Sequence, residues 1–407
     1  MSPMEICILL TSILFLVLAI RTREFTKNLM TLSEQEIIPH VQWPKLSIVI
    51  PACNEADTIE EAGRSLLTLD YPNLEVIFVN DRSTDNTGEI IDRLAASDPH
   101  FRALHIETLP DGWLGKVHAL SEGLKQTTGE WVLLTDADVH FSSESLKKAI
   151  SYNLRNSLDF LTVIPDLVTK TFFLQVMMAQ LYHQASLLFE PRKLNDPNYK
   201  ICYGQGAFLL CKRETYEQSE GLEWLKMEVV DDTGFAFMLR RAGARMGALS
   251  GRHEVKLEWY PSLRAMMRGL EKNSFALCQY SMTSIIFILL GTWLIFSSFM
   301  IFPFLLHNWI AGLGTLVSLG IYLLTVDIQL KKLMAMNPFS VLLFPISFAL
   351  LPLIFLRSGI LALFRKGIYW RGTFYSLVDL KAKQRMKVGD LLFTKHKAKK
   401  IIKAYSA

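Results

Sequence analysis

The chain has 407 residues, enough for one large domain or two ordinary ones with extra segments. Its formal net charge of +4 is too small to argue for a nucleic-acid partner. The positive mean hydropathy at this length speaks for membrane segments over a single soluble core, and five cysteines without paired metal spacing fit free thiols in a reducing cytoplasm.

Met4–Ile20 is apolar and is followed by Arg21, Arg23 and Lys27, which reads as a retained anchor (residues 1–24) with its C-terminal end cytoplasmic; a cleaved signal peptide is the alternative. A polar linker, Phe25–Lys45, comes next. LSIVIPACNEADTIEEA (Leu46–Ala62) predicts a buried strand, a turn at Pro51, and a helix with Asn54 or Asp57 as its N-cap. LEVIFVNDRSTDNT (Leu74–Thr87) predicts a second strand ending at Asn80-Asp81, then a helix over Glu89–Ala96. A weaker strand over Ala103–Ile106 precedes a Gly-rich loop, and Gly115–Leu124 turns helical.

Trp131–His140, WVLLTDADVH, organises this pattern. Val132, Leu133 and Leu134 make a strand buried on both faces, which delivers Asp136 and Asp138 to its C-terminal tip. Two carboxylates there are hard ligands for Mg²⁺ or Mn²⁺, or else they cap a helix or polarise a turn. Strands alternating with helices at this spacing predict an α/β fold with a doubly wound, mostly parallel sheet. In it the tips at Pro51, Asp81 and Asp136 converge on one edge.

IVIPACNE (Ile48–Glu55), VNDRSTDNT (Val79–Thr87), GKVHAL (Gly115–Leu120) and TDADV (Thr135–Val139), in this order, resemble the family-2 glycosyltransferases with the GT-A nucleotide-sugar-binding fold. The resemblance implies that Pro51, Asn54, Glu55 and Asp81 lie at the base and ribose of a nucleotide-sugar donor. It further implies that Asp136 and Asp138 hold the metal–diphosphate and donor sugar. Lys116 either touches the diphosphate or solvates a helix start, and Asp85 reads as a turn residue.

Thr169–Phe189 is apolar around most of a helix, so it is core or it meets the bilayer surface; the second is favoured, with His183 as a polar boundary residue. In YGQGAFLL, Gly204 and Gly206 flank Gln205 and allow close backbone approach; the segment resembles the family's acceptor-side loop. VVDDTGFAFMLRRAGAR (Val229–Arg245) puts Asp231 and Asp232 at a helix start. Asp232 aligns with the family's general base, and Asp231 stands where the family usually has Glu. The Gln-x-x-Arg-Trp signature of processive synthases is missing. The chain therefore resembles the single-transfer branch that includes hopanoid-associated, carotenoid and ceramide glycosyltransferases. Arg264, Arg268 and Lys272 share one helical face, for diphosphate or lipid headgroups or as a solvated stripe.

Ile285–Leu306 and Trp309–Val326 are long enough to form an out-and-back membrane hairpin through His307-Asn308. Phe339–Phe364, with Pro345, Pro352 and Arg357, reads as a broken, re-entrant or interfacial segment that keeps Tyr369–Tyr375 at headgroup level on the cytoplasmic side. The expected organisation is a GT-A domain over 46–280, a membrane region over 281–368 and a basic tail over 369–407. The expected protein is a multi-pass enzyme of the cell membrane with a cytoplasmic catalytic domain. It is metal-dependent and moves one sugar from a nucleotide donor to a lipid or lipid-linked acceptor with inversion. A processive polysaccharide synthase and a non-catalytic scaffold are the alternatives.

Overall fold

The computed structural model describes residues 3–39, 41–196, 198–199, 201–300, 309–337 and 339–387. The expected His307-Asn308 turn and the tail beyond residue 387 lie outside the described residues.

Nine described strands build the central sheet: β1 (Met30–Thr31), β2 (Leu46–Ala52), β3 (Leu74–Asp81), β4 (Phe101–Ile106), β5 (Trp131–Leu134), β6 (Val139–Phe141), β7 (Phe160–Leu167), β8 (Leu209–Lys212) and β9 (Met246–Leu257). Their order is β1-β9-β7-β8-β5-β2-β3-β4, with β6 on β9. β8 runs antiparallel to both neighbours and β6 antiparallel to β9; the other pairs are parallel. Every residue of β2 and of β7 is buried, as their near-continuous apolar runs require when both faces of a parallel sheet are covered.

The helices are α1 (Pro3–Asn28), α2 (Ile59–Leu66), α3 (Thr87–Ser97), α4 (Gly115–Lys125), α5 (Ser145–Asn156), α6 (Phe172–Ser186), α7 (Pro191–Leu194), α8 (Arg213–Glu217), α9 (Asp231–Arg241), α10 (Leu263–Leu277), α11 (Met282–Met300), α12 (Trp309–Leu333), α13 (Phe344–Arg365) and α14 (Leu377–Lys383). A hairpin of β10 (Gly367–Trp370) and β11 (Thr373–Ser376) stands between the last two. α4 lies close against β2 and β3. A Cβ at Gly123 would sit 2.8 Å from Val79 Cγ2.

Three local expectations change. Asn54 does not cap α2, which starts at Ile59 after Thr58 with no side-chain cap. Asn54 takes a left-handed φ of 55° instead, and its Oδ1 accepts from the Thr84 N–H at 2.8 Å, tying the β2 turn to the β3 turn. Residues 25–45 are more than a polar linker: Leu29 and Leu32 are fully buried, and Met30–Thr31 pairs with β9 at the sheet edge. α6 is mostly packed in the protein, with Leu174, Val176, Met177, Met178, Ala179 and Tyr182 buried; Phe172 and Phe173 at its start stay exposed. His183 on this helix bridges Gln329 Oε1 and Tyr322 OH of α12, both at 2.7 Å, and burial pushes its imidazole down to about 4.

Two described segments are long and apolar enough to cross a membrane, Leu313–Leu333 and Ser340–Arg365; Leu263–Leu277 with Met282–Phe296 is a further pair, bent by 109°. α1 packs along α12 through Ser12 and Thr315 (3.1 Å) and through the Phe15 and Tyr322 rings. Ile6, Leu9, Leu10, Ile13 and Val17 of α1 face outward, as do Leu313, Leu316, Val317 and Leu324 of α12. A continuous apolar exterior of this kind suits lipid.

Candidate active site

The tips of β2, β3 and β5 meet in one cleft of about 400 Å³, within the size range of small-molecule sites. Pro51, Glu55, Asp81, Lys116, Asp136 and Asp138 all line it. At the base of the cleft the Arg82 guanidinium grips the Asp81 carboxylate with two hydrogen bonds, Nε–Oδ1 at 2.7 Å and Nη2–Oδ2 at 3.1 Å. Gly115 starts α4 against this pair, within a space that a side chain would fill.

Lys116 joins the two acidic centres. Its Nζ lies 2.7 Å from Asp136 Oδ1 and 3.1 Å from Asp231 Oδ2. Burial opposes the charge on this lysine, but the two carboxylates outweigh it and raise its pKa well above the ordinary lysine range. Asp232 lies next to this pair and accepts from the Thr233 N–H at 2.6 Å. Burial, and then the Asp231 charge, push Asp232 up to about 6. Asp138 is pushed up to about 7 by burial first and then by Asp136 and Glu55. Asp138 is thus buried beside other carboxylates, and with Asp136 it offers hard oxygens that fit a divalent ion that also takes phosphate oxygens.

Gly204, Gln205 and Gly206 back the site without lining the cleft. A Cβ at Gly206 would stand 2.7 Å from Asp136 Oδ2 and 3.4 Å from Lys116 Nζ, and Gly204 closes directly on the backbone of Asp232. Gln205 turns inward: its N–H donates to Thr162 Oγ1 at 3.0 Å, and its Oε1 accepts from Tyr203 OH at 2.7 Å. Asp85 orders the β3–α3 turn, accepting from the Thr87 and Ala56 N–H groups at 3.0 and 3.2 Å. Of the basic stripe on α10, Arg268 and Lys272 line the cleft and Arg264 does not.

The rest of the cleft comes from segments not assigned to it by sequence. Trp259 and Tyr260, stacked at 5.2 Å, follow β9. The β10–β11 hairpin, expected at headgroup level, instead folds into the cleft with Tyr369, Trp370, Arg371 and Tyr375. Arg371, at a φ of 48°, pairs with Glu55, and the Gly115 N–H donates to Tyr375 OH at 3.2 Å. Burial still holds the Glu55 carboxyl above its ordinary value with Arg371 beside it. The signal was the excess of aromatic and basic residues in YWRGTFY, but the sequence did not disclose its partner, Glu55, which lies far away in the chain.

A family model for Glycosyl transferase family 2 matches residues 47–220. These residues form a family-2 glycosyltransferase domain. The chain is 37% identical across 120 residues to the poly-β-1,6-N-acetyl-D-glucosamine synthase of Staphylococcus epidermidis, 29% of this chain and 26% of that protein. It is 34% identical across 114 residues to the β-monoglucosyldiacylglycerol synthase of a Synechocystis species, 28% of this chain and 23% of that protein. The matched part thus spans about a quarter of the length of these curated relatives. The fold is similar to that of a mannosyltransferase from Pyrobaculum calidifontis, solved in complex with GDP-Man and Mn²⁺. The TM-score is 0.54 at 17% identity, over 89% of this chain and 99% of that one. The expected GT-A architecture is therefore the observed one.

Proposed function

We propose that this chain is a membrane-associated glycosyltransferase that moves one sugar from a nucleotide sugar, with UDP as its nucleotide, to a lipid or lipid-linked hydroxyl, inverting the anomeric carbon. The observation that carries this reading is the Lys116 bridge. Lys116 lines the cleft with Asp136 and Asp138 and reaches from Asp136 to Asp231 of α9, which lies behind the lining with Asp232; α10, which also lines the cleft, leads into the apolar helices. Glu55, Asp81 and the backbone after Pro51 receive the nucleoside. Asp136 and Asp138 would hold Mg²⁺ or Mn²⁺, which when bound would supply positive charge for the departing diphosphate. Asp232 takes the proton of the acceptor hydroxyl as that oxygen attacks the anomeric carbon. The nucleoside diphosphate departs from the opposite face of the sugar. Asp231, held by Lys116, keeps α9 in register with the β5 tip.

The test is binding and product analysis on the full chain in detergent. UDP binds in the presence of Mn²⁺, and Asp138→Asn weakens this binding at least tenfold; metal-independent binding unaffected by the substitution overturns the assignment of Asp138. A panel of labelled UDP-sugars on membranes gives a lipid carrying one added sugar. The likeness to a poly-β-1,6-N-acetyl-D-glucosamine synthase favours a second reading, polymer synthesis, and a product ladder in the same assay decides for it.

A further inference from the structure

Five cationic side chains line the cleft, and three of them are already neutralised: Arg82 by Asp81, Lys116 by Asp136 and Asp231, and Arg371 by Glu55. Arg268 and Lys272 form no ion pair among the described residues. The Lys272 ammonium is half-buried, 3.1 Å from Asn273 Oδ1 and 3.7 Å from the centre of the Trp370 ring. An amide oxygen and an aromatic face compensate a charge that has left water far less than a carboxylate does. The position is enforced: Gly269, one turn earlier, lets α10 close on Tyr260, whose Cζ would lie 2.9 Å from a Cβ there. The helix is thus pressed to the cleft, and its under-compensated lysine lines the same space as Asp136 and Asp138.

We propose that Lys272, assisted by Arg268, holds the diphosphate of the nucleotide donor from the α10 wall, across from the strand tips where Asp136 and Asp138 would hold a divalent ion. This rests on the donor reading above and adds to it a positioning group from outside residues 47–220. Lysine meets phosphate as a point charge with three donors, so its contribution follows the number of phosphates and ignores the base. Trp370 covers the ammonium until phosphate replaces it.

The experiment is calorimetric titration of the full chain in detergent with UDP, GDP, UMP and uridine, each with Mn²⁺ and with EDTA. Lys272→Met is expected to weaken nucleoside-diphosphate binding about tenfold in both conditions, leaving uridine unchanged, and Lys272→Arg to recover most of the loss. Arg268→Gln, at an exposed position, is expected to weaken diphosphate binding about threefold. Unchanged diphosphate affinity in Lys272→Met overturns the proposal and leaves the donor reading standing. Equal losses for UDP and uridine mark a purely structural role and overturn it too. If Lys272→Met fails to fold, unchanged affinity in Arg268→Gln overturns it alone. A wild-type chain that binds neither UDP nor GDP overturns both readings.

Discussion

Asp231 and Asp232 are neighbours in sequence, but only Asp231 has a cation, Lys116, in direct contact. Asp232 keeps a carboxyl pushed up to about 6 by burial and by the Asp231 charge. At neutral pH it is ionised and still basic enough to accept a proton from a hydroxyl, the combination a general base needs. Asp232→Asn is therefore expected to lower transfer on the order of a hundred- to ten-thousand-fold while UDP affinity stays within twofold of wild type; parallel loss of both removes the base assignment. The pH dependence follows in sign: transfer falls as pH drops through about 6, because protonated Asp232 already carries the proton it would take and is too weakly basic to accept another. Stability runs the other way. The folded-state value lies above the ordinary one, so ionising Asp232 costs folding free energy as pH rises from about 4 to 6. The Asn variant lacks that cost and should melt no lower than wild type at pH 7.

α4 shows how closely an element must be held for Lys116 to reach both acidic centres. It is pressed on β2 and β3 at Gly123, where Val79 Cγ2 stands 2.8 Å from the place of a Cβ. Gly123→Val must push the helix off the sheet, costing about 1–3 kcal/mol, read as a lower thermal midpoint in detergent. It should also weaken UDP binding, since Lys116 lies on the first turn of the same helix; an unchanged midpoint refutes this packing argument. The elements legible in the sequence were those with local signals: β2, β3 and β5 as apolar runs, α3 and α4 from the helical pattern after their turns, and the carboxylates at the strand tips. β1, β7 and β9 are not legible in this way, because their identity depends on partners far along the chain. Met30 pairs with Leu249, and Phe160 with Met246. The same limit hid the hairpin. Nothing near Arg371 in sequence foretells Glu55, and amphipathic composition alone fits a headgroup as well as a cleft. By sequence Asn54 is as good a cap candidate as Asp57, because Asx residues serve helix starts and turns through the same side-chain oxygen.

α13 sets the relation of the membrane helices to the catalytic domain. Its 22 residues are long and apolar enough to span, and Pro352 lies within it. Yet both of its ends are tied to the same folded unit. Before it, Met334 bridges to Leu167 of β7, Asn337 N–H donates to Gln175 of α6 at 2.9 Å, and Ser340 Oγ donates to the same residue at 2.7 Å. Along and after it, Arg357 and Arg365 pair with Glu271 of α10, and the hairpin that follows enters the cleft. A helix crossing the bilayer delivers its ends to opposite faces. One whose ends both dock on a single domain lies along or dips into one face, and the inward-turned Arg357 supports this, since an arginine at the bilayer centre is costly. In a cysteine-free background, Asn337→Cys and Arg371→Cys are accordingly expected to react with a membrane-impermeant maleimide from the same face, both in one preparation and neither in the other when intact cells are compared with inverted vesicles. Labelling of the two positions from opposite faces would mean that α13 crosses, and the hairpin could not then reach Glu55.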